Sequence, residues 1–172
     1  MYQIMPTEKA TLNAASITPL PVRDKVRFMT EAVQDAVSKG AKVINEGGGA
    51  SAKTLFYPAV VFPVKEGMQL YREEQFGPIV PVLKFTDDED ALRRANETRY
   101  GLSGSVWSSN PDRAAALASR LEVGTAWVNH HRATSATVPF GGAKESGIGR
   151  IYSEMGLKAY LEPRVISVLK SA

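Results

Sequence analysis

The sequence predicts an α/β protein whose core is a parallel sheet with helices on both faces. Three observations carry that reading. Strand and helix patterns alternate from residue 79 to residue 129, the order expected of a parallel sheet covered by helices. An earlier helix, 23–40, leads directly into a short apolar strand, 42–45, which is a second α/β unit. The composition is that of a globular domain: 172 residues, 44% hydrophobic and 23% charged, enough chain to bury a core of its own.

Taken in order, residues 1–21 read as an arm. They show no periodicity, and Pro19 and Pro21 favour extended backbone at its end. From Arg23, the apolar positions Val26, Met29, Ala32, Val33, Ala36 and Val37 fall at helical spacing, and Gly40 stops the helix. Tyr57 to Val64 is β-rich, and its Pro58 and Pro63 place it at a sheet edge. Ile79 to Phe85 reads as a buried strand. Asp87, Asp88 and Glu89 then start a helix with the charge that suits its N-terminal dipole. Ser103–Ser109 is the next strand. Asn110 caps the following helix, and Pro111 takes its first position, where the missing N–H costs nothing. Thr125–Asn129 is another strand, 153–161 a short helix ended by Pro163, and Arg164–Lys170 a final strand.

Composition also excludes function classes. No apolar run approaches the length of a transmembrane helix, and the N-terminus lacks an apolar signal core, so the expected location is cytoplasmic, with no membrane partner. A net charge of +3 with scattered Lys and Arg gives no nucleic-acid stripe. With no cysteine, the chain has no disulfide, no thiolate metal site and no cysteine nucleophile. His130 and His131 are adjacent, so on a strand they face opposite ways, and no carboxylate or cysteine spacing supports a metal.

The stretch Val138–Gly149 is the unusual one. Gly141, Gly142, Gly147 and Gly149 surround Lys144, yet the spacing fits neither the P-loop nor the dinucleotide-binding glycine fingerprint. A small nucleotide-binding domain built on this loop is correspondingly weak. Lys144 reads as a lysine that bonds loop carbonyls or faces solvent before it reads as catalytic.

With its flanks this stretch resembles the C-terminal signature of the aldehyde dehydrogenase superfamily. The residues are Trp127-Val128-Asn129, then Pro139-Phe140-Gly141-Gly142-x-Lys144-x-Ser146-Gly147-x-Gly149-Arg150, then Gly156-Leu157-x-x-Tyr160. Two upstream blocks agree: Glu73-Glu74-Gln75-Phe76-Gly77-Pro78, and Ala95-Asn96 with Tyr100-Gly101-Leu102 and Val106-Trp107. The resemblance runs from Val22 to Lys170.

It implies the C-terminal part of a catalytic domain (22–162), with 163–172 as an oligomerisation strand and the dinucleotide-binding domain absent. The nucleophilic cysteine and general base are implied to lie upstream, so no catalytic residue is assigned here, and the chain alone is expected to be inactive. NAD or NADP is the implied cofactor of the whole enzyme, with none expected bound to this chain. Glu74 is implied to hold the nicotinamide ribose, and Phe76, Leu102 and Phe140 to line the nicotinamide end. Segment 130–138 corresponds to the family's substrate-facing loop. There Arg132 would favour an acidic aldehyde such as a semialdehyde, and Thr134 offers a hydroxyl. Asn129 reads as support for these loops. The pattern departs at Ile151 and Ser153, where the family usually has glutamate and glycine; the glutamate is implied in the water and proton path. A homo-oligomer acting on a small aldehyde is the implied assembly. The competing expectation is a catalytically dead module that binds partners through an exposed sheet.

Overall fold

The computed structural model describes residues 17–169, which form two compact units dividing between Lys84 and Phe85. Residues 1–16 of the expected arm lie outside the described residues; at its end, the Leu20 N–H donates to the Thr54 carbonyl at 2.7 Å.

The first unit is built on helix α1 (Arg23–Ser38). Val26, Met29, Ala32, Val33 and Ala36 recur at three- and four-residue steps, so they share one face, and all five are buried. Strand β1 (Lys42–Val43) follows. Strands β2 (Ser51–Ala52) and β3 (Leu55–Phe56) make a tight hairpin turning at Lys53, whose φ is 54°. Strand β4 (Ala59–Phe62) pairs antiparallel with β1. Helix α2 (Gln69–Arg72) is tied to α1 by its Gln69 N–H, which donates to the Asp35 carboxylate at 2.8 Å. Strand β5 (Ile79–Pro81) pairs parallel with β4. Phe56, Val61, Met68, Leu70 and Ile79 complete the core beneath α1.

The edge position expected for β4 is corrected: the sheet order is β1-β4-β5, and β4 is central. Pro58 and Pro63 flank the four paired residues instead of interrupting them, so no ladder N–H is lost. The Asn45 side chain extends the β1 side of the ladder, donating to the Pro58 carbonyl and accepting from the Val60 N–H at 2.8 and 2.7 Å. The strand expected over 79–85 is shorter, ending at Pro81, with the Val82 N–H still donating to the Val61 carbonyl at 2.9 Å.

In the second unit, helix α3 (Asp88–Asn96) is capped by the Asp87 carboxylate, which accepts from the Asp90 N–H at 2.9 Å. Strands β6 (Tyr100–Gly101) and β7 (Ser103–Val106) lead to helix α4 (Pro111–Ala118), capped as expected: the Asn110 side chain accepts from the Arg113 N–H at 3.0 Å. Strand β8 (Thr125–Val128) lies parallel to β7, with Ser103 opposite Thr125 and Val106 opposite Val128. This is one βαβ crossover, with α4 packed on both strands. Strand β9 (Ala143–Lys144) pairs antiparallel with β6, and helix α5 (Ser153–Lys158) follows. Leu92, Ala114, Ala118 and Trp127 are the buried apolar residues here.

Two sequence expectations are not met. The parallel pairs β4–β5 and β7–β8 occur in separate small sheets, not in one parallel sheet. The strand expected at Arg164–Lys170 is not formed among the described residues: 161–169 are irregular, and Val165 and Leu169 are 90% and 95% exposed. A strand exists only by pairing, and no neighbour among the described residues offers this segment its N–H and C=O groups. No helix among the described residues is long and apolar enough to cross a membrane.

Candidate functional site

The glycine-rich stretch is locked from several sides. A side chain at Gly124 would meet the Gly141 carbonyl oxygen at 1.7 Å, so the turn before β8 and the loop approach backbone to backbone. The Arg150 guanidinium donates to the carbonyls of Gly142 and Gly149 at 2.8 and 2.7 Å. The Ser146 hydroxyl accepts from the Gly101 N–H at 2.9 Å. Lys144, in left-handed backbone at φ 53°, donates to the carbonyls of Asn96 and Thr98 at 2.5 and 3.1 Å and pairs with Glu122 at 2.8 Å. It therefore clamps the loop to the end of α3, as its non-catalytic reading expects. The Arg150 contacts brace the loop around Phe140, which exchanges two backbone hydrogen bonds with Ile151 at 2.9 and 2.8 Å.

Phe140 faces a cavity of about 300 Å³ between β8 and the 130–138 loop. Trp127, Ala133, Thr134, Val138 and Pro139 contribute to the lining, and no lining side chain is charged. Trp127 is only 7% exposed. Its indole N–H donates to the Ala133 carbonyl at 2.9 Å, and its ring meets the His131 ring edge-on with centroids 4.9 Å apart. Asn129, at φ 55°, receives the Ser108 N–H on its side-chain oxygen at 2.8 Å and donates its amide to the Ser108 carbonyl at 2.9 Å. It ties the exit of β8 to the exit of β7, the supporting role the sequence suggests. Arg132, also left-handed at φ 64°, is exposed and does not line the cavity.

Of the other sequence candidates, Leu102 sits between β6 and β7 and is 44% exposed; its carbonyl receives the Thr125 N–H at 3.2 Å. Glu74 and Phe76 belong to the first unit. Phe76 is 78% exposed at φ 48°, a conformation that costs a bulky residue about 1–3 kcal/mol and persists only where its surroundings impose it. They do: Gln75 bends its amide back to the Ile79 carbonyl at 2.6 Å, and Gly77 lies so close to buried Met29 that a Cβ would meet its sulfur at 2.2 Å. The Glu74 carboxylate is exposed on the same short segment. The structure thus brings Thr134 and Phe140 to one cavity and leaves Arg132 outside it. Sequence reasoning missed Trp127 and Val138 as cavity walls, Gln75 as the brace of the Phe76 segment, and Arg150 as the loop clasp. The positions of Trp127 and Arg150 inside the quoted motifs were the available signal.

The sequence profile of the Aldehyde dehydrogenase family matches residues 3–166. A succinate-semialdehyde dehydrogenase [NADP(+)] of Deinococcus radiodurans is 39% identical over 149 residues, which is 86% of this chain and 31% of that protein. Human retinaldehyde dehydrogenase 3 is 40% identical over 86% of this chain and 30% of its own. The crystal structure of betaine aldehyde dehydrogenase from Staphylococcus aureus in complex with NAD+ superposes with a TM-score of 0.78 at 28% identity, covering 92% of this chain and 34% of that one. The chain thus spans about a third of the length of the curated relatives it matches. With the profile matched across nearly its whole sequence, the chain belongs to the aldehyde dehydrogenase family.

Proposed function

We propose that this chain is the C-terminal part of the catalytic domain of an NAD(P)-dependent aldehyde dehydrogenase, and that joined to the missing parts it serves the oxidation of an aldehyde to a carboxylic acid. The observation that carries the reading is the cavity where Thr134, on the candidate substrate loop, and Phe140, on the candidate nicotinamide side, meet. The residues present suit one end of the cofactor. In the first unit Glu74 offers an exposed carboxylate for two ribose hydroxyls and Phe76 an exposed apolar face; in the second, Leu102 is 44% exposed. The glycine loop matches neither phosphate-binding glycine pattern, so pyrophosphate and adenosine binding is assigned to other parts of the enzyme. When bound, NAD(P) accepts the hydride from the substrate carbon. This chain's share is to shape the aldehyde pocket, hold the nicotinamide ribose and exclude water. It brings no thiol to attack the carbonyl, since it has no cysteine.

Two preparations test this. The pure chain forms no NADH with any aldehyde of a broad panel. A chimera in which it replaces the corresponding third of the Deinococcus radiodurans relative oxidises aldehydes, and Glu74→Ala lowers its kcat/KM about tenfold or more, the worth of a hydrogen bond to a charge. Turnover by the chain alone, or a correctly folded chimera indifferent to Glu74, refutes the reading. In the same chimera Ile151→Glu raises steady-state turnover if the family's glutamate serves the hydrolytic water.

A further inference from the structure

We infer that the cavity beside the 130–138 loop selects a neutral aromatic or branched-aliphatic aldehyde tail and rejects a carboxylate-bearing one, a conclusion that rests on the aldehyde dehydrogenase reading above. The lining decides it. Trp127, Phe140, Val138 and Pro139 supply aromatic and aliphatic walls, and no lining residue is charged. Arg132 and both histidines stand outside the lining, so a carboxylate entering the cavity meets no cation among its walls. An apolar tail loses nothing there and gains aromatic contact.

The polar groups that do line the cavity are limited in what they can offer. The Trp127 N–H is already given to the Ala133 carbonyl, which fixes the indole as a wall instead of a donor. The Ser135 hydroxyl is engaged with Thr137 at 2.9 Å. The Thr134 hydroxyl has no hydrogen-bond partner among the described residues, so it can meet one neutral polar substituent. At about 300 Å³ the space lies at the small end of ligand pockets, which run from about 300 to 1,000 Å³, and this favours a compact tail over a long chain.

The test reads binding, not turnover, on the full chain. Trp107→Phe leaves Trp127 as the single indole, and its N–H resonance is followed by nitrogen-15 NMR during titration with benzamide and, separately, succinate. Benzamide is expected to shift the Trp127 signal saturably, with succinate at least about tenfold weaker. Val138→Phe, which fills the cavity, abolishes the benzamide response. Thr134→Arg, which brings a cation to the wall, raises succinate binding about tenfold. Succinate binding as tightly as benzamide to the parent chain, or a Trp127 signal that benzamide leaves unmoved, overturns the inference. Because no catalysis is involved, either result leaves the enzyme reading to be decided separately by the chimera.

Discussion

Lys144 shows how one side chain can organise a loop without chemistry of its own. Its ammonium satisfies two carbonyls at the end of α3 and neutralises Glu122, while its backbone takes a conformation usually left to glycine. Replacing it with methionine keeps the aliphatic stem and removes all three partners. Lys144→Met is expected to cost about 1–2 kcal/mol in urea denaturation, most of it from the abandoned carbonyls and little from the half-exposed ion pair. A loss below a few tenths would show that the loop is held by Arg150 and the glycine contacts alone. The lysine stands out in the sequence, but its partners do not: Asn96 and Thr98 lie more than forty residues upstream, beyond any local pattern.

At the scale of elements, α3 and α4 are bound by their ends and by charge. Asp88 forks onto Arg113, and Glu89 receives Arg120 through two bonds of 2.6 and 2.7 Å, which hold the Glu89 carboxyl below its usual range. Within α3, Arg94 first and Arg93 second hold the Asp90 carboxyl down to about 2. Because the folded value lies below the ordinary carboxylate value of about 3.9, this contribution is complete above about pH 4 and lost as pH falls through about 2. Thermal melts between about pH 2 and 6 should therefore show less acid loss for Asp90→Asn than for the parent chain. Asn110→Ala, which removes the α4 cap, is expected to cost about 1 kcal/mol at neutral pH. A variant as stable as the parent would mean that Pro111 and the packing on β7 and β8 suffice. The Asn110 cap was legible because capping needs only residues close in sequence, whereas Asp87 was read for its charge alone.

At the scale of the whole molecule, the exposed apolar run Val165, Ile166, Val168 and Leu169 is the feature most in need of a partner. We propose that it pairs with a second copy of the chain, as the family resemblance implies. The chain is expected to sediment as a dimer or larger at tens of micromolar, and as a monomer once residues 163–172 are removed. Two monomers would reject pairing through this segment. The expected strand is not formed among the described residues for the same reason: an apolar, β-rich run suits a strand but does not supply the neighbour that makes it one.

By itself the sequence determined four of the five described helices, the Asn110 cap, the glycine loop and the family. Each rests on periodicity, on neighbouring residues or on a quoted motif. The tertiary structure alone decided that β4 is central despite its two prolines, that the parallel pairs stand in separate sheets, that Trp127 walls the cavity, and that Arg132 is left out of it. Pairing and lining depend on residues that meet only after the chain has folded back on itself, and local chemistry does not record which they are.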